Sequence, residues 1–258
     1  MAQFRNVENS STKAMALNVA AWIDSSVVCL GVQTFRTESL WWRKPGGSPI
    51  YLPAIITDPE VADDVLHADL RLVQTEWGTE GISLWDCWAT RDLSGVGFTR
   101  QWMEPWYLRP PSPLPRNFTL PPELSIEAVT NAKQLAEFEE ASWEGFEMSE
   151  TARTVGRFGQ HAEGTLHDKG MHYLLARLGD QVVASTIAYA TTDMLGIYGI
   201  STVPQFRRRG YATALVRAVI SLRSDLPVSV QPDPDSVRIY TDIGFVPAGF
   251  VAAWNRRI

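Results

Sequence analysis

The chain has 258 residues, 45% of them hydrophobic and 20% charged, with a formal net charge of −6. That is the composition of a globular protein long enough for one large or two ordinary domains. The acidic balance argues against a nucleic-acid partner, because phosphate contacts need a basic face.

Two cysteines, Cys29 and Cys87, make no disulfide framework, and no Cys/His spacing suggests a metal site. They read as buried thiols of a reducing compartment, and no apolar run reaches membrane-spanning length. A cytoplasmic protein with no membrane contact, monomeric or homodimeric, is therefore expected. In chain order, Ala14 to Ile23 has helical spacing, and Gln33–Arg43 and Ile50–Thr57 read as strands around a Pro45-Gly-Gly turn. Pro59 to Glu76 reads as a helix with proline in its first turn, and Ile82 to Trp85 as a strand.

Eight of the ten tryptophans fall in residues 1–110, which predicts a Trp-rich core. The alternative is that Trp41, Trp42, Trp102 or Trp106 walls an acceptor cleft between the halves. Seven prolines between Pro105 and Pro122 read as an extended, semi-rigid linker that divides the chain near Pro115. The expected organisation is an α/β domain over 1–110, a linker over 111–122 and a second domain over 123–258.

After the linker, strand and helix patterns alternate. Leu124–Val129 is a strand, Asn131–Trp143 a helix capped by Asn131 or Thr130, and Met148–Gly159 a further helix or helical turn. Tyr173–Leu178 and Val182–Tyr189 form a hairpin at Gly179-Asp180. Leu195–Val203 is a strand, Tyr211–Leu222 a helix, Pro227–Gln231 a strand, Asp235–Ile243 a short helix ended by Gly244, and Phe245–Asn255 a final strand or pair.

The stretch richest in chemistry is Val203-Pro-Gln-Phe-Arg-Arg-Arg-Gly-Tyr-Ala-Thr-Ala-Leu215. A strand that enters a helix through a short basic turn is an anion site, because the first N–H groups of the helix lack partners and the macrodipole is positive there. Gly210 permits close approach, Ala212 and Thr213 keep the surface open, and Arg207, Arg208 and Arg209 add charge suited to phosphate. The loop lacks the Lys-Ser/Thr pair of a P-loop and the Gly-x-Gly-x-x-Gly of a dinucleotide fold.

With Ser236-Val-Arg-Ile-Tyr-Thr-Asp-Ile-Gly-Phe245 downstream, residues 116–258 resemble the GNAT superfamily of N-acetyltransferases. The resemblance implies a mixed-sheet α/β fold and acetyl-CoA, or another acyl-CoA, as cofactor. Backbone N–H groups of Arg208, Arg209, Gly210, Ala212 and Thr213 would hold its pyrophosphate. The strand edge at Ile200 and Thr202 would pair with the pantetheine amides, where the family's strand splays at a bulge that Gly196 and Gly199 would ease. Ser236 would line the groove, Asp233 stands where many members have Asn, and Tyr240 would be the general acid that protonates the leaving CoA thiolate.

The general base has several candidates. A protonated alkylamine must lose a proton before it attacks. The inward strand positions, Gly196 and Tyr198, offer no obvious base. Asp193, Glu144, Glu147, Glu150, His161, His167 and His172 are the alternatives.

Arg91-Asp-Leu-Ser-Gly-Val-Gly-Phe98 echoes Arg238-Ile-Tyr-Thr-Asp-Ile-Gly-Phe245 at a constant offset of 147 residues. It suggests a tandem fold whose first copy has lost the Arg-x-x-Gly-x-Ala turn and carries Leu93 in place of Tyr240. The expected function is acetyl transfer from acetyl-CoA to a primary amine of a small molecule or protein, directly in a ternary complex. A non-catalytic acyl-CoA-binding module is the rival reading.

Overall fold

Residues 9–115, 119–149 and 160–256 are described by the computed structural model. The first stretch gives α1 (Asn9–Cys29), β1 (Thr34–Arg36), β2 (Leu40–Arg43), β3 (Ala54–Ile56), α2 (Asp63–Trp77), β4 (Ile82–Asp86) and β5 (Thr99–Arg109). The remainder gives β6 (Leu124–Ala128), α3 (Ala132–Gly145), β7 (Met171–Leu178), β8 (Gln181–Ala190), β9 (Leu195–Thr202), α4 (Tyr211–Leu222), β10 (Val228–Val230), α5 (Val237–Thr241) and β11 (Val246–Arg256). They form two compact units, Met1–Trp106 with Pro247–Ile258, and Tyr107–Val246.

The second unit shows why its sequence pattern was readable. Asn131 accepts a hydrogen bond from the Gln134 N–H at 3.0 Å, and Gln134 Oε1 accepts from the Thr130 N–H at 2.8 Å. This reciprocal cap fixes the start of α3. Gly179, at φ +56, turns β7 into β8. β9 then leads through α4 to β10, a parallel neighbour. Leu215, Val216, Val219 and Ile220 of α4 are buried with Leu174, Ala184, Leu195 and Val228 in one apolar core. Each such large side chain stabilises the fold by roughly 1.5–3 kcal/mol.

The first unit repeats this plan. β2 and β3 are antiparallel, β3 and β4 are parallel across α2, and β11 lies antiparallel on β4. In the second unit β8 and β9 are antiparallel, β9 and β10 are parallel across α4, and β5 lies antiparallel on β10. The last strand of each plan therefore comes from the other copy: β5 closes the second unit and β11 the first.

The echoed octapeptides play the same part in both units. Gly97 (φ +85) and Gly244 (φ +99) are left-handed, and Phe98 and Phe245 after them are each 2% exposed. An arginine from the exchanged strand lies over each turn. Arg109 Nε donates to the Ile243 carbonyl at 3.0 Å beside Gly244, and the Arg256 Nε lies beside Gly97.

Several sequence expectations change. Gln33–Arg43 is a hairpin, β1 and β2, instead of one strand, and α2 starts at Asp63, four residues after Pro59. Strand β5 runs through Pro105, in a stretch read as an extended, semi-rigid linker. Its pairing with β10 starts at Tyr107, so the missing Pro105 N–H costs that ladder nothing.

The chain passes from one unit to the other inside β5 and not in residues 111–122, and β11 belongs with the first unit. The proline-rich segment is instead tied down. Arg109 Nη2 donates to the Ser112 and Pro113 carbonyls at 2.7 and 3.1 Å, and Arg217 donates to the Pro115 carbonyl. The helix expected over Met148–Gly159 lies outside the described residues from Glu150 onward.

Trp254 on β11 is 4% exposed and packs with Leu66, Leu84 and Phe98 of the first unit. Trp254→Ala is expected to cost about 3–5 kcal/mol. In amide hydrogen exchange, α2 and β4 should lose protection while β7 and β8 keep theirs.

Candidate active site

β10 is three residues long, so its pairing with β9 ends after Leu195↔Val228 and Gly196↔Ser229. Beyond that point β9 has no β10 partner. On its other side β9 carries an extra residue: Ser201 faces Ser185 but Tyr198 already faces Ile187. Gly199 in that bulge has φ +55, whereas Gly196 pairs regularly. The distortion expected at one of two glycines is at Gly199.

Past β9, a 3₁₀ turn (Pro204–Phe206) leads to two left-handed residues, Arg208 at φ +64 and Gly210 at φ +83. A non-glycine residue in that conformation costs on the order of 1–3 kcal/mol, a strain typical of ligand-binding turns. The first intrahelical bond of α4 is Ala214 N–H to Gly210 O at 3.0 Å, so the N–H groups of Tyr211, Ala212 and Thr213 remain open. A Cβ on Gly210 would meet nothing within 4 Å and would project into open space.

These features line a groove of about 870 Å³. Ile200, Thr202, Arg207, Arg208, Gly210, Ala212, Thr213 and Ser236 are among its lining residues. A smaller cavity of about 300 Å³ adjoins it, lined by Ile197, Gly199, Val230, Gln231 and Tyr240. Phe146, Asp233, Ser236 and Ile239 line both.

The three arginines differ in use. Arg207 donates to the Gly145 and Thr202 carbonyls at 2.8 and 3.2 Å and pairs with Glu147 at 2.8 Å, tying the end of α3 to the turn. Gly145 must be glycine there, since a Cβ would lie 2.7 Å from Ser201. Arg209 lies over the Phe206 ring at 5.5 Å and is not among the groove-lining residues. Arg208 alone of the three has no side-chain partner among the described residues. Of the three arginines expected to add charge at the turn, Arg207 and Arg208 line the groove and Arg209 does not.

Tyr240 is 1% exposed, packs edge-on against Phe245 at 5.5 Å, and its hydroxyl has no hydrogen-bond partner among the described residues. Burial, and secondarily the charge of Asp233, push its ionisation above the ordinary phenol value, so it stays protonated at neutral pH.

None of the candidate bases lines either cavity. Glu147 is held by Arg207, and Glu150 lies outside the described residues. Asp193, Tyr198, Glu144, His167 and His172 also lie outside both linings. His161 is core: it packs on Phe138 and Tyr173, and burial pulls its pKa down to about 3. Asp233, which does line both cavities, was legible only as an oddity in Gln-Pro-Asp-Pro-Asp after β10.

The corresponding turn of the first unit, after β3, is acidic. Asp58 pairs with Lys13 at 2.7 Å and Asp63 with Arg91 at 2.5 Å, and Leu93 is fully buried at the position echoing Tyr240. Trp41, Trp42 and Trp106 are buried in that unit, and no tryptophan lines either cavity of the second.

A splayed parallel pair, an Arg-Gly turn with open N–H groups and a buried tyrosine thus occur together in the second unit. Residues 133–245 match the model of the acetyltransferase (GNAT) family, and this segment is a GNAT acetyltransferase domain. No curated protein matches the sequence significantly.

Among solved structures, the chain is similar to a GCN5-related N-acetyltransferase from Kribbella flavida, at TM-score 0.68 and 17% identity over 95% of each chain. It is similar to a GCN5-related N-acetyltransferase from Sphaerobacter thermophilus, at TM-score 0.55 and 14% identity over 98% of this chain and 94% of the other. A tandem GNAT protein from the clavulanic acid biosynthesis pathway matches at TM-score 0.57 and 11% identity, over 93% and 94% of the two chains. The likeness extends over both units, as a two-copy fold requires.

The depressed His161 pKa makes stability pH-dependent with a definite sign. The unfolded chain binds the proton more tightly, so the contribution is complete above about pH 6.5 and is lost as pH falls toward 3. The loss of unfolding free energy between pH 7 and 5 should be about 2 kcal/mol smaller in His161→Phe than in wild type, measured by urea titration at each pH.

Proposed function

We propose that the protein is an N-acetyltransferase that moves an acetyl group from acetyl-CoA to a primary amine of a small molecule or protein. One observation carries this reading: beside the opening between β9 and β10, a groove with an anion-binding turn adjoins a smaller cavity lined by a buried, unpartnered phenol.

The residues present fit the cofactor. Open N–H groups from Arg208 to Thr213 and the free Arg208 guanidinium suit a pyrophosphate. The unpaired edge of β9 around Ile200 and Thr202 suits the pantetheine amides, by strand addition. When bound, acetyl-CoA supplies an activated thioester.

Tyr240 then acts as a hydrogen-bond donor and proton source toward the sulfur, where negative charge develops as the acyl group leaves. Its raised pKa keeps the proton in place until then. Ser236 and Ile239 line the passage between groove and cavity. The first unit has an acidic turn and no equivalent phenol, so in this reading it neither binds cofactor nor reacts. Cysteines outside any disulfide, Cys87 buried and Cys29 exposed where both were expected buried, accord with a cytoplasmic enzyme, and among the described residues no helix is long and apolar enough to cross a membrane.

The rival, a non-catalytic acyl-CoA-binding module, draws on the lack of any candidate base in the cavities. Two measurements separate the readings. Acetyl-CoA at about 100 times its dissociation constant should stabilise the wild type by roughly 2.7 kcal/mol in thermal unfolding, and Gly210→Glu should abolish this shift. Tyr240→Phe should keep the shift while thiol release with an accepted amine falls about 10²–10³-fold, the typical loss of one transition-state donor. Cofactor binding with no thiol release from any amine would establish the binding module.

A further inference from the structure

The groove lining carries charge of both signs: Arg208, beside the open N–H groups of the turn, and the carboxylates Asp233 and Asp235. Of the two carboxylates only Asp233 also lines the inner cavity, which holds the Tyr240 phenol. The Asp233 backbone is engaged: its carbonyl accepts from the Ser236 N–H and Oγ, both at 2.9 Å. Its carboxylate has neither a cation nor a hydrogen-bond donor among the described residues.

A carboxylate left unpaired beside a cavity repels phosphate and attracts a cation. The second feature pointing to a ligand there is Tyr240, a polar side chain 1% exposed and unpartnered in the same cavity. The apolar part of the lining is Ile197, Ile200, Val230, Ile239 and Phe146, a residue exposed at 47%, beside the polar Ser201, Thr202, Gln231 and Ser236. An exposed aromatic side chain on the rim of a cavity offers a flat apolar wall.

Resting on the acyltransferase reading, we propose that Asp233 is the acceptor-binding residue. It receives the ammonium form of a primary amine at the mouth of the inner cavity, and Phe146 covers the amine's apolar body. The acceptor class is then a cationic amine with a hydrophobic or aromatic substituent. The two charges of the ternary complex are kept apart, cofactor phosphates at the turn and ammonium at Asp233. An asparagine there could not draw a cation. The carboxylate that departs from the family pattern is thus a specificity device for charge.

The test is calorimetric titration of two probes of similar shape into protein first saturated with CoA. One is benzylamine, cationic at neutral pH; the other is aniline, neutral at the same pH. Wild type, Asp233→Asn and Asp235→Asn are compared. The expected result is benzylamine binding to wild type that weakens about tenfold in Asp233→Asn, as loss of a charged hydrogen-bond partner entails. It should be unchanged in Asp235→Asn, and aniline should not distinguish the three proteins. Equal benzylamine affinity in wild type and Asp233→Asn would overturn the proposal, as would no benzylamine binding to wild type. Loss of CoA affinity in Asp233→Asn would overturn it too, by assigning the carboxylate to the cofactor. Failure of the underlying reading shows separately, as wild type that takes up no CoA before any amine is added.

Discussion

A parallel pair of strands that stops after two residues governs the chemistry of this protein. Because β10 ends at Val230, the backbone of β9 beyond Gly196 has no β10 neighbour and its edge is open. Backbone polar groups in such a position need a partner, from solvent or from a ligand. The bulge at Gly199 sits on the same stretch of β9, and the chain then runs directly into the Arg-Gly turn. Strand edge and anion turn line the groove, and strand edge and buried tyrosine line the cavity that adjoins it.

The second constraint is the exchange of last strands. Neither half of the sequence contains all the strands of its own unit: the first takes β11 and the second takes β5. A buried arginine shows how the exchange is fixed in the second unit. Arg109 is 1% exposed, its charge is held by carbonyls of Ile243, Ser112 and Pro113, and burial lowers its pKa below the ordinary value. Breaking such a set strands a buried charge, which is why it pins the turn before β11 as well as the proline-rich segment. That turn also carries Phe245, the ring against which Tyr240 packs. The arginine and the phenol belong to one packed corner.

Much of this was legible in the sequence, for reasons that can be stated residue by residue. The Arg-Gly turn and the α4 pattern are local signals, and the cap at Asn131 and the Gly179 hairpin depend on residues within a few positions of each other. The repeat at an offset of 147 residues revealed a shared Gly-Phe turn even though the two copies differ in chemistry. What escaped was non-local. Pro105 reads as part of a linker because the pairing side of its strand cannot be read from its neighbours. The strand exchange left no mark in the periodicity of β5 or β11. The side-chain fates of Arg207 and Arg209 depended on Glu147 and Phe206, which spacing alone does not bring to them. Asp233 stood in plain view in Gln-Pro-Asp-Pro-Asp, yet only its place on the wall shared by both cavities gives it a part.

The central claim is that the opening between β9 and β10 is the cofactor site and that its counterpart in the first unit is not. Amide hydrogen exchange with and without acetyl-CoA tests both halves of it in one measurement. The account predicts new protection confined to residues 199–214 and 231–240, with none across the acidic turn at residues 57–64. Protection at the acidic turn, or none at the Arg-Gly turn with acetyl-CoA at saturating concentration, would contradict it.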